Sequence, residues 1–252
     1  MNQLSFRIVI PARFASSRFP GKALAELGGR PLISHVYARA VAADAEQVVI
    51  ATDDRRIAEA AEDFGAQVSM TDTGHCSGTD RIAEVAESLG WGDTDIVVNL
   101  QGDAPFIPPA SIHQVAALLH SHPNAGMATL CTPIQSRNEY LDSHVVKVVG
   151  DQSGRALYFS RAPIPATAHG LDSEPNFAHA FRHLGLYAYR VGALRALAAS
   201  SPCYLEELEK LEQLRALWLG IEIRLGVVEE EQGPDVDTPE DLEAAARFLE
   251  KQ

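Results

Sequence analysis

Cysteine is scarce in this chain of 252 residues, and its spacing excludes two kinds of site. The three cysteines, Cys76, Cys131 and Cys203, lie far apart and form no CxxC pair. A disulfide framework uses an even number of cysteines, and a zinc site usually uses closely spaced ligands. We therefore expect three ordinary thiols.

Long apolar runs and an excess of positive charge are also absent. No apolar run approaches the length of about 18 residues that suggests a membrane span, and Arg7 and Pro11 interrupt the N-terminus before a signal-like core can form. Lys and Arg total 21 against 34 Asp and Glu, which gives a formal net charge of -13. A chain this acidic repels a nucleic acid. We expect a cytoplasmic protein that binds neither membrane nor nucleic acid.

Two common glycine-rich phosphate motifs are missing as well. Gly21-Lys22 is followed by Ala23 where a P-loop has Ser or Thr, and no glycine stands five positions before Gly21. The three spaced glycines of a dinucleotide fingerprint do not follow the first predicted strand. A nicotinamide-dependent reductase is therefore disfavoured.

Positive charge is instead concentrated in one loop near the N-terminus. The segment 7–22 is an apolar strand followed by Arg13, Arg18 and Lys22, and prolines and a glycine prevent it from being a continuous helix. In an acidic chain, such a local cluster predicts a small phosphorylated ligand. The alternative is a solvated basic loop without function.

Strand and helix patterns alternate over the first half of the chain, which predicts an α/β fold with a mostly parallel central sheet flanked by helices. The predicted strands are Phe6–Ile10, Gln47–Thr52, Gln67–Met70 and Asp95–Leu100. The predicted helices are Pro31–Ala42, Arg55–Phe64, Thr79–Leu89 and Pro109–Ser121.

From about Gly126 the strands follow one another without a substantial helix, which predicts a smaller β-rich lobe within a single domain. These strands are Met127–Pro133, Val145–Val149 and Ala156–Ser160. Residues 163–178 have the length of a lid, a binding loop or an intersubunit contact. The chain then continues with a strand, two helices, a strand and a last helix that begins near Thr238.

Polar clusters follow four of the predicted strands, and ligands collect at the carboxyl ends of strands in open parallel sheets. The clusters are Pro11–Lys22, Thr52–Asp54, Gln101–Asp103 and Asp235–Asp237. We expect them to form one crevice, in which Gly102 allows a ligand to approach the backbone. Carboxylates at such ends suit magnesium, whose other ligands are water and substrate phosphates.

Asp103 and Asp237 are the two candidate magnesium ligands. For Asp103 the alternative is a turn-forming role before Pro105. Thr238 is followed by proline and then, at the third helical position, by Asp241, as at a capped helix start. Capping leaves Asp237 without a role, so we favour a metal ligand there.

A second set of candidates lies in the last third of the chain. Residues 201–220 carry leucines three apart, which predicts a helix with a wide apolar arc. Glu212 falls inside that arc and either pairs with Arg215 or binds a ligand. His183 and Tyr187 share one face of a strand, and Arg161 at a strand end could hold a carboxylate.

Eight motifs in this order resemble those of the 3-deoxy-manno-octulosonate (Kdo) cytidylyltransferases and span nearly the whole chain. They are Ile10-Pro-Ala-Arg-Phe-Ala-Ser-Ser-Arg-Phe-Pro-Gly-Lys22, Ala51-Thr-Asp53, Ser77-Gly-Thr-Asp-Arg81, Asn99-Leu-Gln-Gly-Asp103, Ala156-Leu-Tyr-Phe-Ser-Arg161, Arg182-His-Leu-Gly-Leu-Tyr187, Leu211-Glu-Gln-Leu-Arg215 and Val236-Asp-Thr-Pro-Glu-Asp241. Any one of them is weak, whereas the set is specific.

The resemblance implies a Rossmann-like nucleotidyltransferase fold and a magnesium-dependent, cytoplasmic homodimer. Such an enzyme joins Kdo to CTP, releases pyrophosphate and provides CMP-Kdo for lipopolysaccharide synthesis. The lobe within about residues 127–190 would bind the sugar and form the dimer.

The resemblance also implies a role for each matched residue. The triphosphate would be held by Arg13, Ser16, Arg18 and Lys22. The cytidine would be recognised by Ser77, Gly78 and Arg81. Magnesium would be bound by Asp103 and Asp237, and Lys22 and Arg18 would act with them in catalysis. The sugar acid would be contacted by Gln101, Arg161, His183, Tyr187, Glu212 and Gln213.

One position departs from the family pattern, because Ala104 stands where these enzymes usually have glutamate before Pro105. The acceptor could therefore be Kdo or its 8-amino form. The sialic acid cytidylyltransferases are the nearest rival within the transferases. A non-catalytic nucleotide-sugar sensor would not need both Asp103 and Asp237.

Overall fold

The computed structural model describes residues 4–15, 18–75, 77–166, 179–228 and 233–251. The strands are β1 (Arg7–Ala12), β2 (Glu26–Leu27), β3 (Arg30–Pro31), β4 (Gln47–Thr52), β5 (Gln67–Met70), β6 (Ile96–Asn99), β7 (Met127–Pro133), β8 (Lys147–Gly150), β9 (Ala156–Ser160), β10 (Phe181–Arg190) and β11 (Ile223–Val227).

The helices follow the alternation that the sequence predicts in the first half. They are α1 (Leu32–Val41), α2 (Arg55–Asp63), α3 (Gly78–Ser88), α4 (Pro109–His120), α5 (Arg137–Leu141), α6 (Val191–Ala198), α7 (Tyr204–Glu209), α8 (Gln213–Trp218) and α9 (Pro239–Leu249). A 3₁₀ turn covers Lys22–Leu24. No helix among the described residues is long and apolar enough to cross a membrane.

A central sheet of order β11-β7-β10-β6-β1-β4-β5 organises the chain. β1 pairs in parallel with β4 and β6, β4 with β5, and β11 with β7. β10 is antiparallel to both of its neighbours, β6 and β7. Because β4 and β6 lie on opposite sides of β1, the chain reverses direction across the sheet there, and a crevice opens at the carboxyl ends of these strands.

The sheet is buried on both faces, as its continuous apolar strands require. Ile8 and Ile10 of β1 face a core that includes side chains of α1, α2 and α4. Val9, between them, faces the opposite core with Ile82 of α3 and Leu194 of α6. The alternation of β1 side chains therefore joins two helical layers to one sheet.

Strands β8 and β9 lie off the main path of the sheet. β8 pairs with β9 and with the first residues of β10, where Phe181 is opposite Val148. A bulge in β10 between His183 and Tyr187 separates this region from the part of β10 that pairs with β6. The β-rich lobe predicted within residues 127–190 thus shares β7 and β10 with the central sheet, and its roles in sugar binding and dimerisation stay predictions.

The single helix predicted over residues 201–220 is wrong. α7 ends at Glu209, and Lys210 has a left-handed backbone with φ 54° and ψ 46° that stops the helical hydrogen bonding before α8 begins. Leu208 is consequently 77% exposed, whereas Leu211 is 6% exposed. The apolar arc that one continuous helix over residues 201–220 would have is therefore interrupted at Lys210.

The last helix begins as the sequence predicts, with a capping box. Thr238 accepts a hydrogen bond from the Asp241 backbone N–H, and the Asp241 carboxylate accepts from the backbone N–H of Thr238 at 2.9 Å and of Asp237 at 3.1 Å. α9 packs on Leu27, Leu32 and other apolar residues. The cap therefore fixes the backbone of Asp237 at the edge of the crevice.

Candidate active site

A cavity of about 250 Å³ opens at the carboxyl ends of β1 and β6. Nine of the predicted site residues line it: Arg13, Arg18, Lys22, Ser77, Gly78, Arg81, Gln101, Asp103 and Asp237. Ser16 lies outside the described residues. Several cations and two carboxylates border this cavity, which we call the larger cavity because a smaller one adjoins it.

Lys22 lies at the centre of this cluster. Its ammonium group donates to Asp103 at 2.6 Å and to Asp237 at 3.0 Å, and also to the Val236 carbonyl at 3.2 Å. Arg18 adds a second cation 2.9 Å from the Asp237 carboxylate. Burial alone would lower the pKa of Lys22, but the hydrogen bonds and charges of Asp103 and Asp237 outweigh it and raise that pKa.

Backbone contacts bring the two carboxylates together from distant parts of the chain. The Val236 N–H donates to the Asp103 carbonyl at 2.8 Å, so the loops after β6 and before α9 are joined. Gly102 is required by its contact with β1, because a Cβ there would stand 2.9 Å from the Pro11 carbonyl oxygen. It also lines the larger cavity, and the predicted approach of a ligand to its backbone stays a prediction.

The donor set at this point fits a hard divalent cation. Asp103 and Asp237 both converge on one ammonium position, and carboxylate oxygens are the ligands that magnesium takes from proteins. Among the described residues, no group of three or more His, Cys, Asp or Glu forms a complete metal site. A magnesium ion held here would therefore depend on water and substrate phosphates for its other ligands.

The start of α3 forms another wall of the larger cavity. Ser77 caps the helix through a capping box with Asp80, so its hydroxyl already accepts the Asp80 N–H. Arg81 is 3% exposed and donates to Asp53 at 2.7 Å and to the Thr71 hydroxyl. Arg81 therefore holds the loops after β4 and β5 against the helix as well as bordering the cavity.

His75 is a lining residue of the larger cavity that the sequence analysis missed. Its Nε2 is hydrogen-bonded to the carboxylate of Glu84, which lies in the second turn of α3. Desolvation opposes ionisation of Glu84, but hydrogen bonds from the Asp72 N–H and His75 lower its pKa. The only sequence signal was the position of His75 two residues before the Ser-Gly-Thr motif.

A smaller cavity of about 170 Å³ adjoins the first one. Its polar lining consists of Thr79, Asn99, Gln101, Tyr187, Tyr189, Glu212 and Gln213. In the described part of the chain, no Lys, Arg or His borders it. Gln101 lines both cavities and marks the place where they meet.

Glu212 does not form the ion pair with Arg215 that was one of the two predicted alternatives. Arg215 instead donates to Glu206 through two nitrogens, at 2.7 and 2.5 Å, because the break at Lys210 turns α7 back beside α8. Desolvation raises the pKa of Glu212, partly countered by Thr79 and by the charge of Arg215. Its carboxyl group is left to border the smaller cavity.

His183 lies behind the smaller cavity rather than in it. Its ring is 5.1 Å from the Tyr187 ring and packs edge-on to Phe159 at 5.0 Å. The Thr129 hydroxyl donates to the Leu186 carbonyl at 2.7 Å, so it accepts from His183 Nε2 at 2.9 Å. Desolvation lowers the pKa of His183 to about 3, so the ring is neutral at pH 7.

Arg161 also lies outside both cavities. Its guanidinium donates to the Glu209 carbonyl at 2.8 Å and to the Ser143 carbonyl at 3.1 Å, and its backbone N–H donates to the Glu209 carboxylate at 2.9 Å. The buried ammonium of Lys147 in turn donates to the Arg161 carbonyl. These contacts hold the end of α7, next to the segment that carries Glu212.

Three comparisons with known proteins bear on this site. A family model described as "Cytidylyltransferase" matches residues 7–223. Two curated relatives named 3-deoxy-manno-octulosonate cytidylyltransferase are similar to the chain. The one from Thioalkalivibrio sulfidiphilus (strain HL-EbGR7) is 56% identical over 98% of this chain and 99% of its own length. The one from Halorhodospira halophila (strain DSM 244 / SL1) is 50% identical over 99% of each.

A solved structure of CMP:2-keto-3-deoxy-manno-octonic acid synthetase complexed with CTP shares the fold with a TM-score of 0.90. It is 40% identical, and the match covers 98% of this chain and 99% of that one. The predicted α/β fold with a mostly parallel central sheet is therefore confirmed.

The low pKa of His183 predicts a pH-dependent stability. The folded protein keeps this ring neutral down to about pH 3, whereas the unfolded chain takes up a proton below about pH 6.5. The unfolded state thus binds more protons, and stability falls as the pH drops through 6.5. Between pH 7 and pH 5, we expect the Tm of the wild type to fall further than that of His183→Gln.

The exposed His144→Gln is the matched control, and its Tm should change with pH as the wild type does. Equal pH slopes for His183→Gln and the wild type would contradict the assignment.

Proposed function

Because this chain belongs to the cytidylyltransferase family, among the 3-deoxy-manno-octulosonate cytidylyltransferases, we propose that it transfers CMP from CTP to the anomeric hydroxyl of Kdo. The observation that carries the proposal is the junction of two unlike cavities at Gln101. One is cationic and suits a triphosphate, and the other is neutral to acidic and suits a polyhydroxylated sugar. The product would be CMP-Kdo for lipopolysaccharide synthesis in the cytoplasm.

The larger cavity is the proposed CTP site. Arg13, Arg18 and Lys22 supply the positive charge that three phosphates require, and Ser16 joins them by its place in the same motif. The cytidine would lie against the first turn of α3, where Ser77, Gly78 and Arg81 border the cavity. The N-terminal end of a helix favours electron-rich groups there.

The smaller cavity is the proposed acceptor site, and its charge predicts how the sugar acid lies. The carboxylate of Kdo is bonded to its anomeric carbon, so both must be near the CTP phosphates. That end would meet the cations of the larger cavity at Gln101. The hydroxyl-bearing tail would extend toward Tyr187, Glu212 and Gln213, where the described lining holds no cation.

His183 and Arg161 would support the acceptor site from behind. His183 packs against Tyr187, and Arg161 holds Glu209 three residues before Glu212. Direct contact of Arg161 with the sugar acid would require it to leave the carbonyls of Ser143 and Glu209.

The proposed reaction is an in-line displacement. The anomeric oxygen forms a bond to the α-phosphorus, the bond from that phosphorus to the bridging oxygen breaks, pyrophosphate leaves, and the hydroxyl proton passes to solvent. Magnesium held by Asp103 and Asp237 would neutralise phosphate charge and acidify the attacking hydroxyl. Lys22 and Arg18 would align the triphosphate and stabilise the charge that develops on it.

The acceptor itself is tested by incubating the protein with CTP, magnesium and one sugar acid at a time while pyrophosphate is measured. We expect release with Kdo and none with sialic acid. The 8-amino form of Kdo is the second candidate, because the Glu212 carboxylate would also accept a bond from an amine. Absence of pyrophosphate with every acceptor would overturn the proposal and favour a sensor.

We expect Asp103→Asn and Asp237→Asn each to lower turnover by about 10²-fold or more while the Tm changes little, since each removes a metal-binding charge from a half-exposed position. The magnesium concentration for half-maximal rate should rise in both. Asp44→Asn is the control, because this exposed residue has φ 59°, a conformation that asparagine tolerates. Near-normal turnover at low magnesium would reject the two ligands.

We further propose that two copies of the chain pack through an exposed apolar surface on β9, α7 and α8. Tyr204 and Trp218 stack edge-to-face there with ring centroids 5.3 Å apart. Leu157 on β9, Leu208 on α7 and Leu219 directly after α8 are 51%, 77% and 44% exposed. Such side chains together are typical of a protein interface.

Sedimentation velocity tests this dimer. The wild type should sediment as a dimer, and Leu208→Glu combined with Trp218→Glu should shift it to the monomer by placing charges in an apolar contact. Val41→Glu, at an apolar residue of α1 that is 54% exposed, should leave the dimer intact. A double variant that remains dimeric would exclude this surface as the interface.

A further inference from the structure

Two buried polar atoms have no hydrogen-bond partner among the described residues near the smaller cavity. They are Oδ1 of Asn99 and the hydroxyl oxygen of Tyr187, in residues that are 3% and 8% exposed. Both side chains line the cavity. Buried polar groups in folded proteins nearly always have a partner, so an unpaired one needs an explanation.

The two residues are direct neighbours across the sheet. Asn99 is the last residue of β6 and is opposite Tyr187 of β10 in the antiparallel register. Ile96, Val97 and Val98 before it are buried and apolar, so a core role at position 99 would favour an apolar residue. The two unpaired atoms therefore belong to side chains that are adjacent in the sheet and line the same cavity.

Asn99 and Tyr187 line the smaller cavity but not the larger one, so they lie away from the junction at Gln101. Asn99 is two residues before Gln101, where the two cavities meet. Two residues span roughly 6.6 Å along an extended chain. A sugar acid whose anomeric end is at Gln101 would therefore reach Asn99 with its tail. A hydroxyl group can donate to Oδ1 and accept from the Tyr187 hydroxyl at the same time.

We propose that Asn99, together with Tyr187, binds a hydroxyl group of the tail of the acceptor and so contributes to sugar specificity. This inference rests on the proposed function, since it assumes that a polyhydroxylated acid occupies the smaller cavity. It assigns Asn99 a role that is distinct from the binding of CTP.

The variant Asn99→Leu tests the role by separating affinity from stability. It replaces a buried amide whose Oδ1 is unpaired by an apolar group of similar size, and it also removes the hydrogen bond between the amide and Tyr189, so the Tm should change little. The KM for the sugar acid should rise about 10-fold through loss of one hydrogen bond, while the KM for CTP stays unchanged. The control Ser111→Ala removes a buried hydroxyl from α4 and should change neither KM.

A set of acceptors that each lack one tail hydroxyl identifies the partner. In the wild type, loss of the hydroxyl that reaches Asn99 should raise the KM about 10-fold, and in Asn99→Leu the same analogue should have no additional effect. A lower Tm with an unchanged KM for the sugar acid would show that Asn99 is structural and overturn the inference alone. Absence of pyrophosphate release by the wild type would overturn the proposed function and this inference with it.

Discussion

The ion pairs of Lys22 are the interaction on which the arrangement of the site depends. Asp103 and Asp237 come from loops on different strands, and two carboxylates this close would repel each other strongly if no cation lay between them. The Lys22 ammonium provides that charge, and the bond from the Val236 N–H to the Asp103 carbonyl fixes the spacing. The carboxylates are therefore held at a position where a cation is favoured before any ligand is bound.

The same electrostatic arrangement explains why the two cavities differ. Arg13, Arg18, Lys22 and Arg81 border the larger cavity, although the net charge of the chain is -13. The smaller cavity has Glu212 and uncharged polar groups, and desolvation there raises the pKa of Glu212 and of Tyr187. This difference favours one orientation of a ligand that has an acidic end and a hydroxyl-bearing end, and it is the orientation that the proposed transfer requires.

Features that follow from local rules could be predicted from the sequence. Parallel strands place their following loops at one edge, which brought Lys22, Asp103 and Asp237 to one cavity as expected. The Thr238 cap follows from its local motif. The break at Lys210 has no glycine or proline to indicate it, so the predicted long helix was wrong, and Glu206 was not considered as the partner of Arg215. Asn99 was missed because an unpaired buried oxygen depends on its neighbours in space, which the sequence does not display.

The unpaired groups of the smaller cavity have a consequence for stability. A buried polar atom without a partner destabilises the fold by about 1–3 kcal/mol, and Asn99 and Tyr187 each contribute one. A free energy of unfolding of about 5–15 kcal/mol makes two such groups a substantial cost. A hydroxylated ligand would remove that cost, so its binding should stabilise this end of the sheet as well as filling the cavity. Strands β6 and β10, which pair at these residues, then keep the two polar atoms in place for the ligand, because neither atom has a partner among the described residues.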